Sequence, residues 1–414
     1  MPKVTVLDVK LYGEPVATLT NLQDGRTIFA FNDYYVENEK RPTLSLSFKD
    51  PFGALITKFR PYSIVVPPFF SNLLPEGPLR KYLAERAGVR QTREFFLLWM
   101  LGRDLPGAVT VHPSEGDDLP PDDEQSTMEA RPNALRFSLA GVQLKFSALE
   151  NATKGGGLTI PAGGIGGSWI VKLPSQQYSG VPENEFSMMT IADMMGMEVP
   201  EIKLVELDEV SGLPQGVGEL HGQALAVRRF DRTPEGPVHI EDFAQVFGVK
   251  PDDKYSKGNY RMIARVLGIE TSTADVAEFI RRLVFSTLIG NGDMHLKNWS
   301  LIYPDRRTPA LSPAYDLLST IPYIEGEDTA ALNFSRTKRM AELSRDELAH
   351  LAAKSALSEK LVLDTARETV GRFTDVWKNE KNNLPVTAKV RDAIDAHLPT
   401  IELYREFTKT TIQR

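Results

Sequence analysis

The sequence predicts an α+β protein built from three successive parts, and three observations support this prediction. Short runs of β-branched and aromatic residues between turn residues recur as far as about residue 230, which is typical of strands. From residue 240 onward, apolar residues recur at helical spacing, as they do between Val276 and Leu288. An acidic, proline-rich stretch at 113–132 interrupts the β-rich region and indicates a domain boundary.

The composition limits the possible functions. The chain has 414 residues, enough for two or three domains, and its 55 acidic residues exceed its 48 basic residues, so the net charge is −7. Proteins that bind nucleic acid on their own usually carry a basic excess, which this chain lacks. The absence of cysteine excludes disulfides, thiolate zinc sites and a cysteine nucleophile. The sequence has no apolar signal core and no run of membrane length, so we expect a soluble, cytoplasmic protein.

The first part, residues 1–112, is predicted to be a β-rich subdomain that also contains helices, and residues 113–134 are predicted to be a linker. Asp24-Gly25 favours a hairpin turn, because glycine adopts positive φ without steric cost. The predicted elements are strands at Val4–Val9, Val16–Leu19, Thr27–Phe31 and Leu44–Phe48, and helices at Leu79–Arg86 and Thr92–Leu101.

The second part, residues 135–239, is predicted to be a β-rich lobe with one helix at about 182–195, and the third part, 240–414, a helical lobe. In the third part, Ser344 and Glu347 fit a capping box at the start of a helix. The predicted strands of the second part are Phe137–Leu139, Leu144–Ser147, Trp169–Lys172, Ile202–Leu207 and Ala224–Phe230.

The strongest signal for function is the segment Gly292-Asp293-Met294-His295-Leu296-Lys297-Asn298. A predicted helix precedes it, a strand-like run follows it, and Asp316 comes beyond that run. The catalytic loop of protein kinases has the same Asp-to-Asn spacing: its Asp accepts the hydroxyl proton, its Asn ligates Mg²⁺, and a later Asp holds the metal at the phosphates. This pattern predicts Asp293 as the catalytic base and Asn298 and Asp316 as metal ligands. It also predicts a two-lobed, protein-kinase-like core, with a β-rich nucleotide lobe and a helical C-terminal lobe.

A kinase also needs a strand lysine that contacts the nucleotide phosphates and pairs with a glutamate of the next helix. Trp169-Ile170-Val171-Lys172 is an apolar run that ends in such a lysine. Glu185 is the expected partner of Lys172, because neighbours such as Phe186 indicate an inward-facing side of the helix. A solvent-exposed lysine at a strand end, and a glutamate favoured by the helix dipole, are the simpler alternatives.

Three other segments give weaker signals. Residues 138–143 join two predicted strands, and their backbone N–H groups could cover phosphates, although a hairpin is the ordinary explanation. The glycine-rich segment 155–167 matches neither common phosphate-binding pattern, and we interpret it as a flexible connection. Residues 228–230 end the β-rich lobe, where a kinase hinge offers backbone groups to adenine; the side chain of Arg229 fits a surface charge or an ion pair between lobes.

Taken together, these motifs resemble the HipA family, the serine/threonine-kinase toxins of bacterial type II toxin–antitoxin modules. The resemblance extends almost from end to end, and the motifs are specific in combination rather than singly. They lie at 70–76, 102–104, 107–109, 138–143, 170–174, 229–232, 292–298 and 313–316.

The resemblance implies a HipA-type N-terminal subdomain fused to a kinase core that uses ATP and Mg²⁺, with Asp293 as the base and Lys172 as the ATP-binding lysine. It also implies autophosphorylation of Ser138, where a phosphate of about −2 charge beside the nucleotide loop would switch activity off. The other implied nucleotide-contacting residues are Ala140, Gly141, Val142, Gln143, Leu144, Lys145, Arg228, Arg229, Phe230, His295, Leu296, Lys297, Asn298, Tyr315 and Asp316.

The resemblance further implies partners. Family members phosphorylate an aminoacyl-tRNA synthetase, which causes growth arrest or persistence, and a small helix-turn-helix antitoxin of the HipB type holds them and binds operator DNA. The acidic net charge agrees with DNA affinity that resides mainly in that antitoxin. One departure is Arg228, which stands where the best-known relative carries an acid.

Two alternatives remain open at this point. The first is a small-molecule phosphotransferase, because the pattern G-D-x-H-x-x-N also resembles antibiotic kinases; the helical lobe lacks the dense acidic cluster that a cationic antibiotic would need. The second is an inactive kinase fold that serves as a binding module or co-repressor. The joint presence of Lys172, Asp293, Asn298 and Asp316 argues against this second alternative.

Overall fold

The computed structural model describes residues 5–63, 65–86, 88–114, 145–150, 158–160, 167–213 and 220–409. It confirms the α+β class, with three parts in the expected order. The predicted strand at 137–139 and most of the predicted linker, 115–134, lie outside the described residues. Among the described residues, no helix is both long and apolar enough to cross a membrane.

The N-terminal domain is an antiparallel sheet covered by helices. Its strand order is β4-β3-β2-β1-β5, and alternate residues of β1, such as Leu7 and Val9, are fully buried in the same core as Phe70 of α2. Gly25, at φ +79°, occupies the predicted hairpin turn between the second and third strands. The elements are β1 (Thr5–Leu11), β2 (Glu14–Asn21), β3 (Arg26–Phe31), α1 (Asp33–Glu37), β4 (Tyr62–Ser63), α2 (Pro68–Ser71), α3 (Gly77–Arg86), α4 (Glu94–Leu101) and β5 (Val109–Pro113).

The strand predicted at Leu44–Phe48 is wrong, because Leu46–Phe48 forms a 3₁₀ helix. The Ser45 hydroxyl accepts a hydrogen bond from the backbone N–H of Ser47, and the backbone N–H of Leu46 donates to the Glu241 carboxylate. These side-chain acceptors occupy the amides that a strand would use for its ladder.

The middle lobe is a six-stranded sheet with one helix. Its strand order is β10-β7-β6-β8-β11-β9, so β8 lies between two antiparallel neighbours. Trp169 and Val171 of β8 are fully buried, which anchors the strand that carries Lys172. The elements are β6 (Lys145–Glu150), β7 (Leu158–Thr159), β8 (Trp169–Lys172), α5 (Val181–Met194), β9 (Ile202–Glu206), β10 (Val210–Ser211) and β11 (Gln223–Arg228).

The C-terminal lobe is mostly helical and also contains a small sheet of order β14-β15-β16. The Ser344 hydroxyl accepts the backbone N–H of Glu347 at 3.2 Å, but the Glu347 carboxylate binds Ser335 and Arg336 instead, so the predicted capping box is incomplete. The elements are β12 (Arg232–Thr233), β13 (Gly236–Pro237), β14 (His239–Asp242), α6 (Phe243–Val246), α7 (Tyr260–Glu270), α8 (Thr273–Leu288), β15 (Ser300–Tyr303), β16 (Ala310–Leu311), α9 (Arg345–Ser355), α10 (Glu359–Glu380), α11 (Ala388–His397) and α12 (Glu402–Lys409).

Candidate active site

The loop that follows α8 contains two glycines. Gly290 adopts φ +67°, and a Cβ atom there would lie 2.5 Å from the side chain of Ile321. A Cβ atom on Gly292 would lie 2.4 Å from the Glu327 carboxylate. The positive φ and the close contact with Ile321 both require glycine at position 290, where the chain turns towards Asp293, whereas a side chain at 292 would displace only the flexible end of Glu327.

Asn291 connects this loop to the segment that carries Asp316. Its side-chain oxygen accepts the backbone N–H of Asp293 at 2.9 Å, and its side-chain amide donates to the backbone carbonyl of Asp316 at 3.4 Å. Asn291 is buried, so solvent does not compete for either bond. The sequence analysis did not identify Asn291; its signal was an amide between two glycines, one residue before the motif aspartate.

Hydrogen bonds within the loop fix the spacing between Asp293 and Asn298. The Asn298 side-chain amide donates to the Asp293 carbonyl at 2.7 Å, and the backbone N–H of His295 donates to the same carbonyl at 2.8 Å. Since its NH₂ group is used in this way, the amide oxygen of Asn298 is the end that remains to accept a ligand.

Lys172 is the centre of a buried ion-pair cluster. Its ammonium contacts the carboxylates of both Glu185, on α5, and Asp316, and only 9% of the Lys172 side chain is exposed. Burial alone would lower the pKa of Lys172, but the two carboxylates outweigh burial and raise it, so the ammonium stays charged.

The two carboxylates on Lys172 differ in their electrostatics. Burial would raise the pKa of Asp316, but Lys172 and then Lys145 hold it well below its usual range. Burial outweighs Lys172 at Glu185 and raises the pKa of that group. Asp316 is therefore the firmly ionised member, and it lies at φ +55°, a left-handed conformation that aspartate tolerates better than most residues.

Tyr255 contacts the predicted base. Its hydroxyl donates to a carboxylate oxygen of Asp293, and its ring packs edge-on against His295 with 4.8 Å between ring centroids. Burial raises the pKa of Asp293, and the hydrogen bond from Tyr255 partly offsets that rise. No motif marks Tyr255, and the sequence analysis missed it.

His295 is buried under this tyrosine. Burial lowers its pKa to about 3, so the imidazole is neutral. Its Nδ1 atom has no hydrogen-bond partner among the described residues. Its predicted contact with a phosphate stays a prediction.

The structure directs the Lys297 ammonium towards the N-terminal domain. It donates to the Asn72 carbonyl at 2.9 Å and contacts the Glu76 carboxylate at 2.6 Å. Its backbone carbonyl accepts the hydroxyl of Tyr315 at 2.9 Å. The neighbouring Leu296 side chain is fully buried in the core, so both predicted nucleotide contacts would have to come from backbone atoms.

At the end of β11 the ring of Phe230 lies 5.8 Å from the ring of Tyr315. The backbone N–H groups of Arg228 and Arg229 are already paired, at 2.8 Å, with the carbonyls of Glu201 and Ser168 respectively. A nucleotide contact from this segment would therefore come from Phe230, from backbone carbonyls or from the partly exposed side chain of Arg228, which pairs with Glu201 at 3.2 Å.

The side chain of Arg229 is an ion-pair group, one of the two roles considered for it. It forms two 2.9 Å hydrogen bonds with the Asp231 carboxylate and reaches Asp104 of the N-terminal domain at 3.3 Å. The Arg229 guanidinium is therefore engaged in ion pairs within the protein.

The remaining predicted site residues fall in or beside the nucleotide loop. Lys145 begins β6 directly opposite Lys172 in the antiparallel register. The others lie outside the described residues: Ser138, Ala140, Gly141, Val142, Gln143 and Leu144.

The donors around Asp316 suit Mg²⁺. The Asp316 carboxylate and the Asn298 amide oxygen are hard oxygen ligands, and Mg²⁺ commonly takes one or two carboxylates from the protein and the rest of its ligands from phosphates and water. In the described part of the chain, no group of three histidine or acidic side chains is ready to hold a metal alone. The site therefore fits a metal that arrives with a phosphorylated ligand.

Comparison with known proteins identifies the family of this chain. A profile described as the HipA-like C-terminal domain matches residues 137–377, and one described as the HipA N-terminal domain matches residues 7–112. A candidate kinase, Y4dM of Sinorhizobium fredii, is 86% identical over 99% of this chain and 100% of its own length. The serine/threonine-protein kinase toxin HipA of Shewanella oneidensis is 28% identical over 64% of this chain and 65% of its own length.

A solved structure shows the same fold. HipA from Shewanella oneidensis MR-1, in a complex with HipB and operator DNA, superposes with a TM-score of 0.73 at 22% identity, covering 97% of this chain and 99% of that chain. This likeness confirms the α+β, kinase-like architecture predicted from the sequence. Because the C-terminal profile alone matches more than half of the chain, the chain belongs to the HipA family.

Proposed function

We propose that this protein is an ATP-dependent serine/threonine protein kinase that acts as a HipA-type toxin. The observation that carries the proposal is the cluster in which Lys172 contacts both Glu185 and Asp316. In kinases, the strand lysine and the helix glutamate must pair, and the metal-binding aspartate must be in place, before phosphate is transferred. Asn291 adds a direct link between Asp293 and Asp316.

In this reaction the hydroxyl oxygen of the acceptor serine forms a bond to the γ-phosphorus of ATP. The bond between that phosphorus and the bridging oxygen breaks, and ADP leaves with the electron pair. Asp293 takes the hydroxyl proton, and the raised pKa of this buried carboxylate suits a proton acceptor. Lys172 holds the phosphates, because its ammonium stays positively charged and attracts them. When bound, Mg²⁺ would be held by Asn298 and Asp316 and would neutralise phosphate charge.

Membership of the HipA family supports a proposal for the protein substrate and the partners. We propose an aminoacyl-tRNA synthetase as the target, with growth arrest or persistence as the result, and a small HipB-like antitoxin as the partner that carries most of the DNA affinity. The net charge of −7 supports the proposal that the antitoxin carries most of the DNA affinity, because operator binding needs a basic surface. We further propose that phosphorylation of Ser138 switches the enzyme off.

Intact-mass measurement after incubation with ATP and Mg²⁺ tests the chemistry. The wild type should gain one phosphate, and Ser138→Ala should gain none. Asp293→Asn should slow the transfer by about 10²–10⁴-fold, because general-base catalysis contributes that much. An unmodified wild type, or equal labelling of Asp293→Asn, would refute the kinase proposal.

Expression without a partner tests the toxin role. The wild type should arrest growth, and Asp293→Asn should not. Equal arrest by both proteins would show that the toxicity does not come from catalysis. Co-expression of a helix-turn-helix protein encoded beside this gene should restore growth of the wild type.

A further inference from the structure

Glu76 places a charge of the N-terminal domain against the catalytic loop. One of its carboxylate oxygens lies 2.6 Å from the Lys297 ammonium, and the other lies 2.6 Å from the Lys254 ammonium. Glu76 belongs to the turn that precedes α3, whereas Lys297 lies between the predicted base and the end of the loop. The carboxylate thus bridges two lysines of the C-terminal lobe from outside that lobe.

Both lysines are connected to the loop backbone. The Lys254 carbonyl accepts the backbone N–H of Leu296 at 3.4 Å, and Lys297 directly precedes Asn298, whose side chain holds the Asp293 carbonyl. A fixed position for the two ammonium groups therefore fixes the backbone on both sides of Leu296.

The segment around Glu76 is itself anchored to the C-terminal lobe. The side-chain amide of Asn72 donates to the Val249 carbonyl at 2.8 Å, and the Asn72 carbonyl accepts the Lys297 ammonium at 2.9 Å. In addition, the side-chain amide of Gln245 donates to the Phe69 carbonyl at 3.0 Å. Glu76 is therefore held by backbone contacts that do not depend on its own charge.

The charge of Glu76 is permanent at any physiological pH. Burial alone would raise its pKa, but Lys297 and Lys254 outweigh burial and lower the pKa to about 2. The side chain of Glu76 is 29% exposed, and those of the two lysines are 18% and 15% exposed. Glu76 is thus an ionised, partly shielded group with two fixed partners.

We propose that Glu76 is a positioning residue of the phosphoryl-transfer site, and that the N-terminal domain completes the active site through it. This inference rests on the proposed kinase function. Glu76 touches no reacting atom; it holds Lys297 and Lys254 so that Asn298 and Asp293 keep their spacing.

Steady-state and single-turnover kinetics of the full-length protein test the proposal. Glu76→Gln keeps the size of the side chain and removes its charge, and kcat should fall about tenfold, because small misplacements of reacting groups are costly. The KM for ATP should stay within about twofold, because the Lys172 cluster is untouched.

Tyr12→Phe is the matched control. The Tyr12 hydroxyl also joins the N-terminal domain to the C-terminal lobe, because it accepts the backbone N–H of His239 at 3.1 Å, but it has no contact with the loop. This variant should keep kcat. A Glu76→Gln enzyme with wild-type kcat, or a Tyr12→Phe enzyme that loses as much, would overturn the proposal.

Hydrogen–deuterium exchange gives a readout that does not require activity. The backbone N–H of Leu296 donates to the carbonyl of Lys254, a partner of Glu76. Its exchange should therefore be faster in Glu76→Gln than in the wild type. In Tyr12→Phe its exchange rate should equal that of the wild type. Unchanged exchange in Glu76→Gln would overturn the positioning role even if the wild type proved inactive. If the wild type is inactive but Leu296 exchanges faster in Glu76→Gln, the kinase proposal is refuted and the positioning role of Glu76 is not.

Discussion

Among the described residues, two charged junctions between the N-terminal domain and the kinase-like core are built differently. In the first, which we call the Asp104 junction, Asp104 binds Arg229 and Arg232 beside the end of β11. In the second, the Glu76 junction, Glu76 binds Lys254 and Lys297 beside the loop that carries Asp293. Both join the same two bodies, but one uses guanidinium groups and the other uses ammonium groups.

The difference in chemistry matches a difference in burial. Arg229 is 7% exposed, and its planar group makes two 2.9 Å hydrogen bonds with Asp231, a geometry that only arginine offers. Asp231 also accepts the backbone N–H of Gly107 at 2.8 Å, which ties the N-terminal domain to the same carboxylate. The Glu76 junction is more exposed, and each of its two ammonium groups contacts a single oxygen of the Glu76 carboxylate. The Asp104 junction is therefore suited to holding the domains together, and the Glu76 junction to setting a loop position.

The largest effect that this comparison predicts is on stability. Asp231→Asn leaves the buried Arg229 without its bidentate partner, and we expect a loss of about 3–5 kcal/mol in the free energy of unfolding. Glu76→Gln should cost about 1 kcal/mol at most, because its ion pairs are partly exposed and screened. Urea denaturation of both variants measures the difference, and equal losses would contradict the distinction between the junctions.

A third contact between the domains should show a pH dependence. Glu241 is fully buried and accepts hydrogen bonds from Ser45, Leu46 and Tyr303, and burial raises its pKa to about 7. A carboxyl group whose pKa rises on folding from its ordinary value of 4.5 favours the folded state most below pH 4.5, and that contribution is lost as the pH rises through 7. The loss amounts to about 3 kcal/mol at the upper end of this window.

Glu241→Gln is the variant that tests this expectation, because it removes the titration and keeps the shape. Its unfolding temperature, measured by calorimetry from pH 5 to pH 8, should fall less with rising pH than that of the wild type. Parallel curves for the two proteins would show that Glu241 does not titrate in this range.

The smallest predicted effect is a shift of the pH–rate profile when Tyr255 is changed. Tyr255→Phe removes the hydrogen bond that lowers the pKa of Asp293, so the pKa of this buried carboxyl should rise further. A base with a higher pKa loses its proton-accepting form at higher pH, so the acidic limb of the pH–rate profile should move to higher pH. The rate of autophosphorylation against pH measures it; a shift to lower pH would contradict this assignment.

Local patterns in the sequence were enough to predict two elements that carry or precede candidate site residues. Trp169–Lys172 is a strand, and the apolar face of Thr273–Leu288 is buried, because each has the periodicity of its element. The same reasoning failed at Leu46–Phe48, where the acceptors are side chains rather than a neighbouring strand. Periodicity carries no information on such partners.

The site residues show the same contrast between local patterns, which the sequence reveals, and distant contacts, which it does not. Lys172 and Glu185 are separated by one helix start, so kinase motif order was enough to pair them. Glu76 meets Lys297 from more than 200 residues away, and Tyr255 meets Asp293 from a turn without regular structure. Contacts of this kind depend on how whole domains pack, which no local pattern in one sequence encodes.

The steric fit at Gly290 has a consequence for how this loop can change. Because a Cβ atom at position 290 would lie within 2.5, 2.8 and 2.9 Å of three side-chain atoms of Ile321, the loop at 290 has no room for a methyl group. An alanine at position 290 would also be strained at φ +67°, so it would disturb the chain that leads to Asp293 while every charged group remained. Gly290→Ala thus changes the shape of this loop and leaves the ionisable groups of the candidate site intact for studies of partner binding.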